Sequence, residues 1–490
     1  MRAGLRGRAA DPGQLDFFGS ATGLTLALPA RPVLPAEAPE GTVPSPPPLP
    51  PAEIPTEPVR NARNYRITDA DRLGEGSLKR KCADNLAALD VLRRIEAERR
   101  EATGEEKRTL VRYVGWGGLP QVFDDANLKW LDEARLLREL LSDEEHASAR
   151  ATTLNAHYTP PVVVRAVYAL LERLGFAGGR VLEPACGIGH FLGLMPEAMR
   201  GHSTITGIEI DGMTARIAQA LYPDADVRHG PFEEARLADD FFDVAVSNVP
   251  FGDYPPFDPR FNAWHLPIHD WFFAAALTKV RPGGLVAFIT SRGTLDKADG
   301  AARELLGRTA DFVGAVRLPD TTFRANANTG VTADLVVLRK RRPGDPRFGA
   351  PWLGLAPVTS TRGEKILVNA WYAARPEMML GEMQLAGRIY RRGEPTLVST
   401  GEELGGALAR ALHSFPRGIS LPEERAPPEP ASPAALPLPA EAKPNAFALV
   451  NGRLARREGG APGDRPRRRF ERGEVAEPID DEQLEMAAER

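Results

Sequence analysis

Two short segments combine residue types that could bind a nucleotide-like cofactor and hold an amine. In the first, residues 181–191 (VLEPACGIGHF), an apolar run leads into the turn Gly187–Gly189. Glycines at such a turn let the backbone approach a ligand closely. The acid Glu183 at the end of the run suits a cationic or amine-bearing group better than a phosphate. About twenty residues later Glu209 ends a second apolar run, and an acid there can accept hydrogen bonds from both hydroxyls of a ribose.

The same segment disfavours dinucleotide cofactors. The third glycine of a dinucleotide fingerprint would fall at position 192, which is leucine. Because that glycine normally allows tight packing below a pyrophosphate, NAD and FAD are disfavoured and the methionine part of S-adenosylmethionine is favoured. The alternative is an ordinary strand, turn and helix that bind nothing.

The second segment, residues 247–251 (SNVPF), directly follows another apolar run and offers hydrogen-bond acceptors beside an aromatic ring. An exocyclic amine on a base is a poor nucleophile because its lone pair is delocalised, so an enzyme that methylates it must hold the NH2 group. The side-chain oxygen of Asn248 and the carbonyl of Val249 could do this. Phe251 could stack on the base, which is worth roughly 1–3 kcal/mol.

These residues resemble the amino-methyltransferases among the class I S-adenosylmethionine enzymes. The family signature here is Asn/Asp/Ser-Pro-Pro-Tyr/Phe/Trp, and Asn with Phe favours N6 of adenine over N4 of cytosine. The sequence departs from it at Val249, where the family usually has proline. Pro250 itself pushes Val249 towards an extended conformation, so the carbonyl is expected to keep its direction.

Further segments extend the resemblance. Residues 156–161 (AHYTPP) are similar to the cofactor-binding segment of gamma-order adenine methyltransferases, and locally they predict a helix start with Thr159 as N-cap. Phe232 is placed either against the cofactor adenine or in the core. The resemblance implies no metal and assigns S-adenosyl-L-methionine binding to Tyr158, Thr159, Glu183, Ala185, Gly187, Gly189, Phe191, Glu209, Ile210 and Phe232. It assigns catalysis to Asn248, Val249, Pro250 and Phe251.

Three flanking segments narrow the resemblance to the methyltransferase regions of large phage and plasmid methyltransferase–helicase proteins, associated with antirestriction or defence. They are residues 65–68, 113–120 and 316–319. The sequence has no Gly-x4-Gly-Lys-Ser/Thr phosphate loop, so a helicase would be a separate partner subunit.

The elements that must position these residues alternate between apolar runs and helical stretches, which predicts a doubly wound α/β fold. With the resemblance, we expect a mainly parallel, seven-stranded Rossmann-like methyltransferase sheet, a helical N-terminal region and disordered tails. The strand-like runs are Arg180–Leu182, Thr204–Ile210, Phe242–Ser247, Leu285–Thr290, Phe312–Arg317 and Leu335–Leu338. The predicted helices of the sheet domain are Thr159–Leu174, Gly189–Met199, Met213–Leu221, His269–Val280 and Asp296–Leu306.

In the N-terminal region, the spacing of the apolar residues predicts a helix over Ser77–Arg100 with one apolar and one basic face. The basic face is either solvated or a phosphate-contacting surface for DNA.

Proline marks the tails, because residues 1–58 hold 13 of the 45 prolines and residues 421–490 hold 11. The expected organisation is a disordered tail (1–58), a helical N-terminal region (59–150), the methyltransferase domain (151–340), an accessory segment (341–420) and a mostly disordered tail (421–490) with a hairpin at 446–456. Within the first tail, Gln14–Phe18 (QLDFF) resembles the peptide by which bacterial replication proteins dock on the sliding clamp.

Composition excludes several classes of protein. No apolar stretch approaches the length of a membrane span, and two cysteines without a Cys/His cluster argue against a disulfide scaffold or zinc module. A cytoplasmic location fits this cysteine usage. A net charge of -4 means that a nucleic-acid surface must be a local patch.

The sequence therefore predicts methyl transfer from S-adenosylmethionine to N6 of adenine in DNA, in a restriction-modification, antirestriction or phage-defence context. Two alternatives stay open. One is protein glutamine methylation, where the acceptor is also a planar amide. The other is a non-catalytic DNA-binding or assembly subunit with a degenerate pocket.

Overall fold

The computed structural model describes residues 61, 63–124, 126–151, 153, 159–323, 330–347, 352–387, 393–420, 447–450 and 453–456. The predictions for Tyr158, for Gln14–Phe18 and for the tail at 1–58 fall outside the described residues. So does most of the tail at 421–490.

Strands β1 to β7 form one sheet in the order β3-β2-β1-β4-β5-β7-β6. Every neighbouring pair is parallel except those that include β7, which runs antiparallel to β5 and β6. The strands are β1 (Arg180–Glu183), β2 (Thr204–Glu209), β3 (Asp226–His229), β4 (Phe242–Asn248), β5 (Val280–Ser291), β6 (Ala310–Leu318) and β7 (Ala333–Lys340). The predicted doubly wound, mainly parallel, seven-stranded sheet is confirmed.

The helices surround this sheet and build the N-terminal region. They are α1 (Leu78–Glu98), α2 (Gly104–Leu110), α3 (Leu131–Leu140), α4 (Asp143–Ala151), α5 (Pro161–Arg173), α6 (His190–Leu194), α7 (Glu197–Arg200), α8 (Gly212–Leu221), α9 (Ile268–Lys279), α10 (Gly293–Asp296), α11 (Ala301–Thr309), α12 (Ala370–Ala374) and α13 (Leu404–His413). Single turns of 3-10 helix lie at Asp69–Asp71, Pro120–Phe123, Leu128–Trp130, Phe232–Glu234, Asn262–Trp264 and Pro376–Met378. No helix in the described part of the chain is both long and apolar enough to span a bilayer.

The sheet reverses its direction of growth between β1 and β4. From β1 the chain adds β2 and β3 on one side, and then returns to place β4 and β5 on the other. In open α/β sheets the crevice beyond the carboxyl ends of the strands at such a reversal is where ligands bind. Both predicted motifs follow these two strands, so the topology itself brings them to one crevice.

Three predicted helices differ from the structure, the first two of them at prolines. The helix expected at Thr159 begins at Pro161, with Pro160 as N-cap and without a side-chain cap, so the prediction of Thr159 as N-cap was wrong. The helix expected over Gly189–Met199 is broken before Pro196 into α6 and α7. The helix expected over Asp296–Leu306 is two, because α10 ends at Asp296 and α11 begins at Ala301.

The N-terminal region packs α1 against α2, α3 and α8. Its basic face is neutralised by carboxylates, several of which come from distant parts of the chain. Lys79 pairs with Glu133, Arg80 with Asp84, Arg93 with Glu145, and both Arg94 and Arg100 with Glu106. This pairing favours a solvated, ion-paired face over a phosphate-contacting one.

After β7 the chain forms two antiparallel pairs, β8 (Leu355–Thr359) with β9 (Lys365–Asn369), and β10 (Glu382–Gly387) with β11 (Glu394–Val398). Asp296 holds this part to the sheet domain, since one carboxylate oxygen accepts from the backbone N–H of Asn369 and the other pairs with buried Arg317. α13 packs on α5, and the described residues up to Ser420 belong to one compact unit.

The second unit, Glu424–Arg490, contains β12 (Phe447–Val450) and β13 (Arg453–Arg456), which pair antiparallel where the sequence predicts a hairpin.

Candidate functional site

The two predicted motifs meet at the carboxyl ends of β1 and β4. These strands are neighbours, with Val181 opposite Val244. Near the end of β4, the hydroxyl of Ser247 donates to the carbonyl of Ala185, which follows β1, over 3.3 Å. This bond ties the glycine turn to the Asn248 segment, so the residues proposed for cofactor binding and for catalysis border one crevice.

The glycine turn has a backbone that only glycine adopts easily. Gly187 has a φ of 54° and Gly189 a φ of 84°, and Gly189 is the N-cap of α6. A Cβ at Gly189 would overlap the ring of Tyr222, which lies directly against it. The space that a side chain at Gly189 would need is thus filled by Tyr222.

Glu209, at the end of β2, fixes the turn from the other side. One carboxylate oxygen accepts from the backbone N–H of Gly187 over 2.8 Å, and the other from that of Asp211 over 2.8 Å. Each oxygen keeps a lone pair for a further donor. Burial raises the pKa of Glu209 to about 7, although the backbone hydrogen bonds oppose the rise.

Ile210, the next residue, exposes 69 % of its surface, more than most large apolar side chains of the protein. It therefore offers an uncovered apolar surface next to the carboxylate that could take a ribose. A flat aromatic base beside the ribose would cover it.

Glu183 presents the opposite situation, a buried acid with a free oxygen. Only 2 % of it is exposed, and its Oε2 atom has no hydrogen-bond partner in the described structure. Burial, together with the nearby charge of Glu209, raises the pKa of Glu183 well above its usual range. A buried, unpartnered carboxyl at a strand end fits a cationic ligand group, which would both neutralise it and supply the missing hydrogen bond.

Asn248, the last residue of β4, also has an acceptor without a partner. Its Oδ1 atom is buried and makes no hydrogen bond within the described structure. Val249 is buried and donates its backbone N–H to the carbonyl of Ile289 on β5, over 3.1 Å. Pro250 and Phe251 follow and are partly exposed, so the segment passes from the sheet to the surface within a few residues.

The remaining predicted residues lie deeper. Phe191 is buried and faces the ring of Tyr168 edge-on. Thr159 is buried too, and its carbonyl lies 3.4 Å from Nδ1 of His190 beside the turn. Phe232 is buried against Trp271 and Phe272, with ring centroids 5.5 and 5.6 Å away.

Sequence reasoning missed two residues of the site, Ser247 as the link to Ala185 and Tyr222 as the support under Gly189. Ser247 stands in the motif, but nothing in its type reveals its partner. Tyr222 lies 33 positions after Gly189, as their numbers show, and only the fold brings them together.

The described residues fit S-adenosylmethionine as a cofactor. The unpartnered carboxyl of Glu183 suits the methionyl ammonium, and Glu209 suits the ribose hydroxyls. The two glycines of the Gly187–Gly189 turn carry no side chain that would keep a ligand from the backbone, and exposed Ile210 suits the adenine. No three His, Cys, Asp or Glu side chains converge on a metal-sized site within the described ranges.

Comparison with known proteins gives the same class. Residues 182–288 match a family model described as a methyltransferase domain. The chain is 31 % identical over 208 residues to Defense against restriction protein B of Escherichia phage P1, which covers 41 % of this chain and 9 % of that protein. It is 30 % identical over 115 residues to a Mycolicibacterium smegmatis protein named "Probable S-adenosylmethionine-dependent methyltransferase", covering 22 % of this chain and 44 % of that protein. The chain therefore spans less than half the length of either relative.

Among solved structures, the chain is similar to the type I restriction-modification system methyltransferase subunit from Streptococcus thermophilus. The identity is 17 %, the match covers 53 % of this chain and 66 % of that one, and the TM-score is 0.33. The sheet order, the family model and the fit of the crevice lead to one conclusion: the chain contains a methyltransferase domain that uses S-adenosyl-L-methionine.

Proposed function

We propose that this domain transfers a methyl group to N6 of adenine in DNA. The observation that carries the proposal is the buried, unpartnered Oδ1 atom of Asn248 at the end of β4. An unsatisfied buried acceptor costs about 1–3 kcal/mol, so its retention at the crevice indicates a donor that arrives with the substrate. An exocyclic NH2 group is such a donor.

The cofactor is held on the β1 and β2 side of the crevice. Glu183 binds the methionyl ammonium, the turn Gly187–Gly189 approaches the methionyl part, and Glu209 accepts from the ribose hydroxyls. S-adenosylmethionine, when bound, supplies an electrophilic methyl group. The roles of Thr159, Ala185, Phe191, Ile210 and Phe232 in holding it are part of this proposal.

The target amine is held on the β4 side. Its two N–H groups donate to Oδ1 of Asn248 and to the carbonyl of Val249, which orients the nitrogen lone pair out of conjugation. Pro250 stiffens the segment and Phe251 stacks on the base. To reach these groups the adenine must leave the duplex, which costs a few kcal/mol. In direct attack the nitrogen would bond to the methyl group as the sulfonium–methyl bond breaks, S-adenosylhomocysteine would leave, and one N–H proton would pass to water. This attack depends on positioning rather than on a strong base.

DNA is the partner in this proposal. The name of the phage relative describes defence against restriction, which suggests an antirestriction, restriction-modification or phage-defence role. The proposal also includes a separate helicase subunit as a partner, docking of Gln14–Phe18 on a sliding clamp, and a cytoplasmic location.

The test is methylation-sensitive long-read sequencing of DNA from cells that express the chain, Asn248→Ala or a matched control, Asn127→Ala. Asn127 is a partly buried asparagine of the N-terminal region whose side chain caps nothing. We expect N6-methyladenine with the wild type and the control and none with Asn248→Ala, while calorimetry shows unchanged cofactor binding in all three proteins.

The other outcomes separate the alternatives. Detection of N4-methylcytosine instead of N6-methyladenine would mean that the target base is cytosine. Labelled methyl in protein but never in DNA would replace DNA by a glutamine substrate. If the chain does not bind S-adenosylmethionine at millimolar concentration, it is a non-catalytic subunit. Full DNA methylation by Asn248→Ala would remove the role of Asn248.

A further inference from the structure

The segment between β4 and α9, residues 252–267, leaves the crevice directly after Phe251 and carries two uncovered aromatic rings. Phe257 exposes 78 % of its surface and Tyr254 exposes 50 %. We call these two rings the aromatic platform. These exposed rings do not contribute to the hydrophobic core. Because large apolar side chains are stabilised by burial, their exposure next to the catalytic segment indicates a binding surface.

Phe257 is presented on a fixed support. The next residue, Asp258, is buried and accepts from Nε and Nη2 of Arg260, over 3.0 and 2.9 Å, and from Nε1 of Trp271, over 3.1 Å. Its backbone N–H donates to Oδ1 of Asn262 over 2.9 Å. This network anchors the segment on α9, so Phe257 is held in solvent rather than left there by a loose loop.

Tyr254 is tied to the catalytic segment itself. Its ring lies so close over Gly252 that a Cβ at that glycine would come within 2.5 Å of it. Gly252 directly follows Phe251 in the chain. Tyr254 therefore continues the surface on which the target base would stack, and Phe257 follows three residues later in the same segment.

Two other aromatic side chains of the same segment show how rings here are normally covered. The guanidinium of Arg260 lies 5.5 Å from the Phe261 ring, and that of Arg308 lies 5.4 Å from the Trp264 ring. No aromatic ring or cation of the described residues covers Tyr254 or Phe257 in this way.

We propose that the aromatic platform stacks on unpaired nucleobases that flank the extruded adenine, so that the protein holds a locally opened strand. Nucleobases fit because each has a flat π-face, and stacking on aromatic side chains tolerates any base sequence. This inference rests on the proposed function, since it takes DNA as the substrate.

The test uses anisotropy of a fluorescein-labelled single-stranded oligonucleotide of mixed sequence, without cofactor, and a strand of the same length made of abasic residues. The variants are Phe257→Ala, Phe257→Leu and Phe257→Trp, with Leu128→Ala as control. Leu128 matches Phe257 in exposure, at 80 %, but lies in the N-terminal region. All four changes fall on exposed side chains, so folding is not at risk.

We expect Phe257→Ala and Phe257→Leu each to weaken binding of the base-containing strand by about tenfold, the loss of one stack, whereas Phe257→Trp and Leu128→Ala bind like the wild type. On the abasic strand all five proteins should bind alike. In methylation assays the loss should appear in KM and leave kcat unchanged.

Three results would overturn the inference. Leucine that binds like phenylalanine would mean a general apolar contact, such as one with a protein. An equal loss on the abasic strand would mean a backbone contact. Failure of the wild type to bind single-stranded DNA would mean that the platform has no such ligand. Each is independent of methyl transfer, so an inactive wild type would overturn the proposed function but not the binding result.

Discussion

Cofactor binding should weaken in mild acid because Glu209 must be ionised to accept from both ribose hydroxyls. Burial raises the pKa of Glu209 to about 7, so its charge changes near neutral pH. The backbone N–H groups of Gly187 and Asp211 already occupy one lone pair on each carboxylate oxygen of Glu209. Protonation converts one of these two acceptor oxygens into a donor. The protonated form therefore cannot serve both hydroxyls.

The size of the effect follows from the pKa. At about pH 6, one unit below the pKa, roughly one molecule in eleven is ionised, against roughly ten in eleven at about pH 8. If only the ionised form binds, affinity falls about tenfold, or about 1.4 kcal/mol, between these conditions. Calorimetry with 5′-methylthioadenosine measures it best, because this ligand keeps the ribose and lacks the methionyl charges that would interact with Glu183.

The control is Glu209→Gln, which should bind weakly at both pH values and show no slope. Asp211 and Glu183 are the acids whose charges act together with Glu209. A wild-type dissociation constant that is equal at both pH values would refute the role of Glu209. So would a slope that persists in Glu209→Gln, which would assign the titration to another acid such as Glu183, whose pKa is raised.

Two further changes test the support of the site. Gly189→Ala should cost about 1–3 kcal/mol of stability by overlap with Tyr222 and abolish cofactor binding, whereas Gly104→Ala, with nothing within 4 Å, should be harmless in thermal melts. Intact cofactor binding by Gly189→Ala would contradict this packing. The folded-state pKa of Glu183 lies above its unfolded value of about 4.5, so folding takes up a proton at this carboxyl when the pH is between the two values. The free energy of unfolding then falls by about 1.4 kcal/mol for each pH unit as the pH rises towards the folded-state pKa. Glu183→Gln should therefore lose less stability than the wild type as the pH rises above about 4.5; equal slopes in denaturant melts would argue against a buried, neutral Glu183.

The sheet could be predicted because most of its strands are buried on both faces. β4 to β7 have nearly continuous buried positions, and each appears in the sequence as an apolar run. β3 gives no such run because it lies at the edge of the sheet, where only Val227 is buried. Its existence was implied by family resemblance and not by the residues themselves.

The site could be predicted only where its chemistry is local. Gly187, Gly189 and Glu209 follow strand ends and carry recognisable types. The support of the site depends on contacts between residues distant in sequence, such as Tyr222 under Gly189, and no pattern encodes these. For the basic face of α1, the sequence alone indicates unpaired cations. In the fold, Glu133 and Glu145, which are distant in sequence, form ion pairs with Lys79 and Arg93 of this face.

Val249 shows how a departure from a family signature can preserve the geometry that the signature provides. A proline at this position would fix the backbone by its ring but could not donate a hydrogen bond. Valine donates its N–H to the carbonyl of Ile289, which extends the pairing of β4 with β5 by one residue, and its side chain is buried. Pro250 restricts the same residue from the other side. The carbonyl of Val249 is thus fixed by the sheet on one side and by a proline on the other, and the second acceptor of the proposed amine site does not need the missing ring.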